Sequence, residues 1–88
     1  LLEGSGLLFV FDRADTYQFW MPDMHFSIDI IWIGEDKRIV DISERVSPES
    51  YPTLFRPRVP ARYVLEVNAG DAHKWGWTVG TPLSFATD

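Results

Sequence analysis

Apolar and polar positions alternate most regularly along residues 25–33, whose sequence is HFSIDIIWI. A repeat of two residues predicts a β-strand, because successive side chains point to opposite faces of a sheet. One face carries Phe26, Ile28, Ile30 and Trp32, and the other carries Ser27, Asp29, Ile31 and Ile33. Since both faces are largely apolar, we expect this to be the central strand.

A second alternating segment, residues 38–46, follows a polar loop at residues 34–37. Two apolar runs joined by such a short loop are typical of an antiparallel hairpin. Strict alternation would place Ile39, Asp41 and Ser43 on one face, and Val40 and Ile42 on the other.

Shorter segments complete a mainly β pattern. Further strands are predicted at residues 7–11, 17–21, 62–67 and 81–85. A short helix is predicted near residues 69–75, with Asn68 as its N-cap, Asp71 close to its start and Gly76 at its end. The expected fold is a small antiparallel sandwich or distorted barrel with one short α-helix.

The remaining segments are loops. Residues 1–6 are predicted to be a lead-in segment, and residues 47–60, which hold four prolines, to be a long surface loop. The full length of 88 residues suffices for one hydrophobic core, so we expect a single domain over residues 1–88. Hydrophobic residues make up 45% of the chain, which excludes a disordered polypeptide.

Composition narrows the classes of partner. The formal net charge of -5 at pH 7 would repel a phosphate backbone, so we expect no nucleic-acid partner. No apolar run approaches the ~20 residues of a membrane-spanning helix, so a soluble protein without a transmembrane segment is expected. The absence of cysteine excludes disulfides and Cys-ligated zinc, and it leaves the cellular compartment open.

Several blocks of sequence, taken in order, carry a family resemblance. They are GLLFVF at 6–11, FWM at 19–21, IDIIWI at 28–33, RIV at 38–40, YVLEVNAG at 63–70 and VG at 79–80. The chain resembles the family known as domain of unknown function 192, and the match covers essentially everything after Ser5. This resemblance implies a compact all-β sandwich or distorted barrel with one short helix, and no established activity.

The resemblance also implies a location and a missing segment. Family members often carry a signal peptide, which implies an exported or periplasmic protein, although no signal peptide is recognisable in this chain. Members usually have a further strand or two before the block at Gly6, so we expect a shortened copy with an exposed sheet edge. Residues 22–24 and 27–28 depart from the Lys-Asn-Thr and Pro-Leu that are common in the family, so a function resting on that polar triplet is not carried over.

Asp29 and Glu66 are the candidates for catalysis. The apolar neighbours of Asp29 predict burial, and a buried carboxylate must be paired, hydrogen-bonded or shifted in pKa. It would serve as a general acid or base, or else as an acceptor of backbone N–H groups or a partner of Arg62. Glu66 would complete a hydrolytic carboxylate pair, or else stabilise the start of the helix or pair with a basic residue. We favour the structural role for both.

Aromatic and basic residues suggest binding sites. Tryptophans and phenylalanines usually form the core, and they also line sites for sugars or apolar ligands. We expect an aromatic cleft near Trp20 and Met21. Arg56 and Arg58 would suit an anion, although pairing with surface acids is the simpler interpretation. His25 and His73 lie on different elements, so no metal site is predicted, and no cofactor motif is present.

Three functions follow from these features. The favoured one is a non-catalytic binding or accessory domain for a small molecule or protein. Its candidate contacts are Trp20, Met21, Asp29, Glu66, Arg56 and Arg58. The alternatives are a small hydrolase that uses Asp29 and Glu66 as acid and base, and a module that self-associates through a sheet edge or the proline loop.

Overall fold

The structure is a computed structural model that describes residues 4–18, 26–48 and 55–85. Its elements are β1 (Gly6–Asp15), β2 (Ile28–Ile33), β3 (Ile39–Val46), β4 (Ala61–Asn68) and α1 (Asp71–Lys74). The predicted mainly β class with one short helix is therefore confirmed.

The strands form one antiparallel sheet in the order β1-β4-β2-β3. Every residue of β2 is buried, which explains why both of its faces are apolar and why it lies in the interior of the sheet. Each fully buried isoleucine of such a strand contributes about 1.5–3 kcal/mol relative to an exposed one. Over the described residues the sheet is open, with β1 and β3 at its edges, and is not a closed barrel.

Each face of the sheet packs its own apolar cluster. The helix face lies under α1 and includes Ile31, Ile33, Ile39, Tyr63, Val67 and Ala72. The opposite face, here called the Glu66 face, includes Ile28, Ile30, Trp32, Val46, Ala61 and Val64. The predicted division of residues 28–33 between two faces is confirmed.

Bulges in β3 change the faces predicted for that strand. Trp32 pairs with Asp41 and Ile33 pairs with Ile39, so Val40 is an extra residue between the two pairs. Ile39 therefore joins the helix face, whereas Asp41 lies with Trp32 on the Glu66 face. The prediction that Ile39 and Asp41 share a face is wrong, because a bulge interrupts the repeat of two.

The helix begins later than predicted. Its N-cap is Gly70, whose φ of 92° is the left-handed conformation that glycine adopts without steric cost. Asn68, predicted as the cap, is the last residue of β4. Among the described residues, no helix has the length and apolar character needed to cross a membrane.

Two predicted strands differ from the structure. Tyr17 follows the end of β1 and lies outside any strand, with its ring stacked on Phe11 at 3.8 Å, and residues 19–21 lie outside the described residues. Within residues 81–85 only one bridge forms, between Pro82 and Arg38. Proline has no N–H to donate, which helps to explain why no ladder develops there.

Candidate functional site

Asp29 is buried on the helix face, with 1% of its surface exposed, and backbone donors saturate its carboxylate. Its Oδ1 accepts a hydrogen bond from the N–H of Arg45 at 2.9 Å. Its Oδ2 accepts from the N–H groups of Gly70 and Ala72, each at 3.1 Å. The first N–H groups of a helix have no partner within it, so Asp29 caps α1 from a neighbouring strand.

Glu66 projects from the opposite side of the sheet. Asp29 pairs with Val67 and Ile30 pairs with Glu66, and consecutive residues of a strand point to opposite faces. The structure therefore does not bring the two candidate carboxylates together, and they do not form an acid and base pair across a cleft. Glu66 also lies on the face away from α1, so it does not stabilise the start of that helix.

The surroundings of Glu66 differ from those of Asp29. Glu66 is partly buried, and this burial raises the pKa of its carboxyl group. Among the described residues, none donates a hydrogen bond to this carboxylate or forms an ion pair with it. Within the described residues, the carboxylate of Glu66 therefore lacks the donors that surround Asp29.

Sequence reasoning missed Asp41, which is 4% exposed on the Glu66 face. Arg58 donates to its carboxylate from Nη2 at 2.9 Å and from Nε at 3.2 Å, and the N–H groups of Arg58 and Ile42 add bonds of 2.9 Å. Burial by itself would raise the pKa of Asp41, but these bonds, with those of Arg58 foremost, lower it below 3.8. An aspartate inside the apolar run of β3 was the signal for this site.

The remaining predicted contacts are not assembled into one site. Arg58 is bound to Asp41, which is a buried acid and not one of the surface acids that the simpler interpretation expects, and Arg56 is exposed. Trp20 and Met21, with the cleft predicted around them, and His25 lie outside the described residues. No group of three potential metal ligands occurs among the residues that the structure describes.

Two adjoining cavities form a groove on the helix face, above β1 and β4. The first, of about 350 Å³, is lined by Gly4, Ser5, Gly6, Leu65, Val67, Trp75 and Trp77. The second, of about 270 Å³, is lined by Leu8, Leu65, Trp77, Leu83, Ser84 and Phe85. Leu65 and Trp77 belong to both, so the two cavities form one continuous surface, called here the apolar groove.

The helix sets one wall of the apolar groove. The N–H of Trp77 donates to the carbonyl of Ala72 at 2.9 Å, and the rings of Trp75 and Trp77 lie 4.9 Å apart at an angle of 54°. The N–H of Ala72 also donates to Asp29, so the residue that accepts the Trp77 hydrogen bond is itself anchored to β2. The Trp-Gly-Trp sequence was the available signal for this wall.

The carboxyl-terminal segment sets the other wall. The N–H of Leu83 donates to the carbonyl of Lys37 at 2.9 Å, and Lys37 Nζ donates to the carbonyl of Phe85 at 3.0 Å. The ring of Phe85 meets Tyr63 edge-on at 5.0 Å. A segment predicted as a strand is thus held as the side of a groove.

The fold and the groove define a class: a small antiparallel β domain with one short helix and an apolar, aromatic-lined groove. The chain belongs to the family of domain of unknown function 192 (DUF192), described as "Uncharacterized ACR", whose model matches residues 1–85. The resemblance seen in the sequence is therefore confirmed.

Two solved structures are similar to this chain. A protein of unknown function from Novosphingobium aromaticivorans DSM 12444 is 29% identical, with a TM-score of 0.89 over 97% of this chain and 60% of that one. A protein from Sinorhizobium meliloti 1021, described as a candidate transcription regulator, is 33% identical, with a TM-score of 0.79 over 85% of this chain and 57% of that one. This chain thus spans about three fifths of the length of each. No curated protein matches it.

Proposed function

We propose that this protein is a non-catalytic binding domain that takes an uncharged, mainly apolar ligand in the apolar groove. The observation that carries the proposal is the composition of the lining, which contains aromatic and aliphatic side chains and no charged residue. The two cavities measure about 350 and 270 Å³, and ligand pockets commonly measure ~300–1,000 Å³.

The groove also has polar groups on two of its lining residues. Trp75 and Trp77 carry indole N–H groups, which can donate a hydrogen bond to a ligand. A ligand with an apolar body and one or two acceptor oxygens would therefore suit this site.

Other classes of function have less support. Both oxygens of Asp29 are occupied by backbone donors, and Glu66 lies on the opposite face, so the hydrolase alternative lacks convergent titratable groups. The Sinorhizobium protein is described as a candidate transcription regulator. A net charge of -5 in this chain opposes binding to the phosphate backbone of a nucleic acid.

The test uses N-phenyl-1-naphthylamine, an uncharged fluorescent probe, with amide NMR shifts to locate it. Leu8 and Val10 both lie on the helix-face side of β1, pairing with Leu65 and Tyr63, but only Leu8 lines the groove. Leu8→Glu is expected to weaken probe binding at least about tenfold, because it places a charge in an apolar site. Val10→Glu, the matched control, should bind the probe as the natural protein does.

Equal affinity in the two variants would contradict the proposal, as would probe-induced shifts confined to the Glu66 face. Trp77→Ala gives a second test, since its side chain lines both cavities. Its expected effect is also a loss of about tenfold or more.

A further inference from the structure

Lys37 lies in the loop between β2 and β3, in a backbone conformation that usually belongs to glycine. Its φ is 64°, in the left-handed region that side chains rarely adopt. Its N–H closes the turn by donating to the carbonyl of Gly34 at 3.0 Å. Glycine is the usual residue at the left-handed position of such hairpin loops. Because a lysine is strained there, its side chain is expected to do something that glycine could not do.

The side chain of Lys37 ends at the carboxyl-terminal wall of the apolar groove. Its Nζ donates to the carbonyl of Phe85 at 3.0 Å and lies 4.9 Å from the centre of the Phe85 ring. The main-chain carbonyl of Lys37 accepts a hydrogen bond from the N–H of Leu83 at 2.9 Å. Within the described residues, the ammonium group forms no ion pair with an acid. Its charge is therefore directed at Phe85, on a wall of the groove.

This wall has few other directional contacts. Residues 83–85 belong to no strand, and the bridge before them joins only Pro82 to Arg38. The ring of Phe85 meets Tyr63 edge-on, and its packing on the helix face is apolar and non-directional. The opposite wall, in contrast, is bonded to α1 through the main chain. A segment with few hydrogen bonds opens locally with ease, so the contacts of Lys37 matter most at Phe85.

We propose that Lys37 is a positioning residue of the apolar groove, whose ammonium group holds Phe85 in the wall of the second cavity and so sets the affinity for ligand. The inference rests on the proposed function, because it concerns the same groove. Lys37 lines neither cavity, so it acts through Phe85 and does not touch the ligand. Loss of the ammonium group should free the Phe85 ring, admit water to the second cavity and weaken apolar binding.

The first test measures binding of N-phenyl-1-naphthylamine to Lys37→Met, which keeps an unbranched apolar side chain and removes the cation. The affinity should fall about fivefold or more, because a charge-assisted hydrogen bond and a cation–π contact are lost. Lys37→Arg keeps a cation that can donate to the same carbonyl, and it should restore most of the affinity. Lys74→Met makes the same change at an exposed position outside the groove and should leave binding unchanged.

Lys37→Gly separates positioning of the wall from stability of the fold. Glycine adopts a φ of 64° without strain, and this relief offsets its greater freedom in the unfolded chain. The free energy of unfolding in urea should therefore stay close to that of the natural protein. The probe affinity should nevertheless fall as it does in Lys37→Met, and the nuclear Overhauser contacts between Phe85 and Tyr63 should weaken.

The outcomes distinguish this inference from the function on which it rests. If the natural protein binds the probe and Lys37→Met binds it equally well, Lys37 is not a positioning residue and the proposed function stands. A loss of affinity that Lys37→Arg does not restore, or that Lys74→Met shares, would also overturn the inference. A natural protein that does not bind the probe, or a Leu8→Glu variant that binds it with full affinity, would overturn the proposed function and this inference with it.

Discussion

Asp29 and Glu66 stand one register position apart on neighbouring interior strands, yet their surroundings differ completely. Asp29, on the helix face, receives hydrogen bonds from three backbone N–H groups. Glu66, on the other face, receives none from the described residues. Both are acids within apolar strands, so residue type and sequence neighbours do not explain the contrast. The difference arises because the start of α1 and the bulged end of β3 supply donors to one face.

Asp41 shows that the face alone does not decide the outcome. Asp41 shares the Glu66 face, but its carboxylate accepts hydrogen bonds from Arg58 and from the backbone N–H of Ile42. A carboxylate in this sheet is therefore stabilised wherever a loop or helix end brings N–H groups to it. Glu66 lies in the middle of a strand whose own N–H groups belong to the ladder, and the part of the chain that the structure describes brings no such donor to it.

The largest expected effect is that of Asp29→Ala. It leaves three N–H groups without their acceptor, one of them buried and two partly buried. Because each buried loss costs about 1–3 kcal/mol, the free energy of unfolding should fall by about 3 kcal/mol. Urea unfolding measures this, and amide exchange at Gly70 and Ala72 should become faster. Asp12→Ala, at an exposed position of β1, is the control. A loss below about 1 kcal/mol would refute the capping role.

A smaller effect, with a characteristic pH dependence, is expected at Asp41. In the folded protein the pKa of the Asp41 carboxyl group lies below 3.8, the ordinary value for aspartate. The stability that this shift contributes is therefore present above pH 3.8 and is lost as the pH falls through the folded-state pKa. Asp41→Asn should cost about 1–2 kcal/mol at neutral pH and less as acid is added. Thermal unfolding over a pH series checks this, and a constant difference down to pH 2 would contradict it.

The smallest effect should have the opposite sign. Burial raises the pKa of the Glu66 carboxyl group above 4.5, its ordinary value, because burial disfavours the charged form. The stability linked to this shift is fully present below pH 4.5 and is lost as the pH rises through the folded-state pKa and the group becomes charged. Glu66→Gln should therefore stabilise the protein at pH 7, by less than about 1 kcal/mol because water partly screens the charge. The gain should vanish below pH 4.5. Destabilisation at pH 7 would show that Glu66 has a partner after all.

Sequence reasoning identified the strands better than the sites. The alternation along residues 28–33 predicted correctly which side chains share a face, because β2 has a regular ladder with β4 across its whole length. The same reasoning failed at Ile39 and Asp41, where a bulge inserts one residue. The aromatic cleft predicted near Trp20 lies outside the described residues and stays a prediction, and the apolar groove around Trp77 was not predicted.

The sequence by itself determined the mainly β class, the interior strand and the family, because these depend on local periodicity and on ordered blocks of residues. Only the tertiary structure decided that Asp29 caps the helix, that Arg58 is bound to Asp41, and that Glu66 faces away from both tryptophans of the groove. The partners in each of these contacts are far apart in the chain. Which donors reach a carboxylate depends on strand order and on bulges, and neither is encoded in the residues next to it.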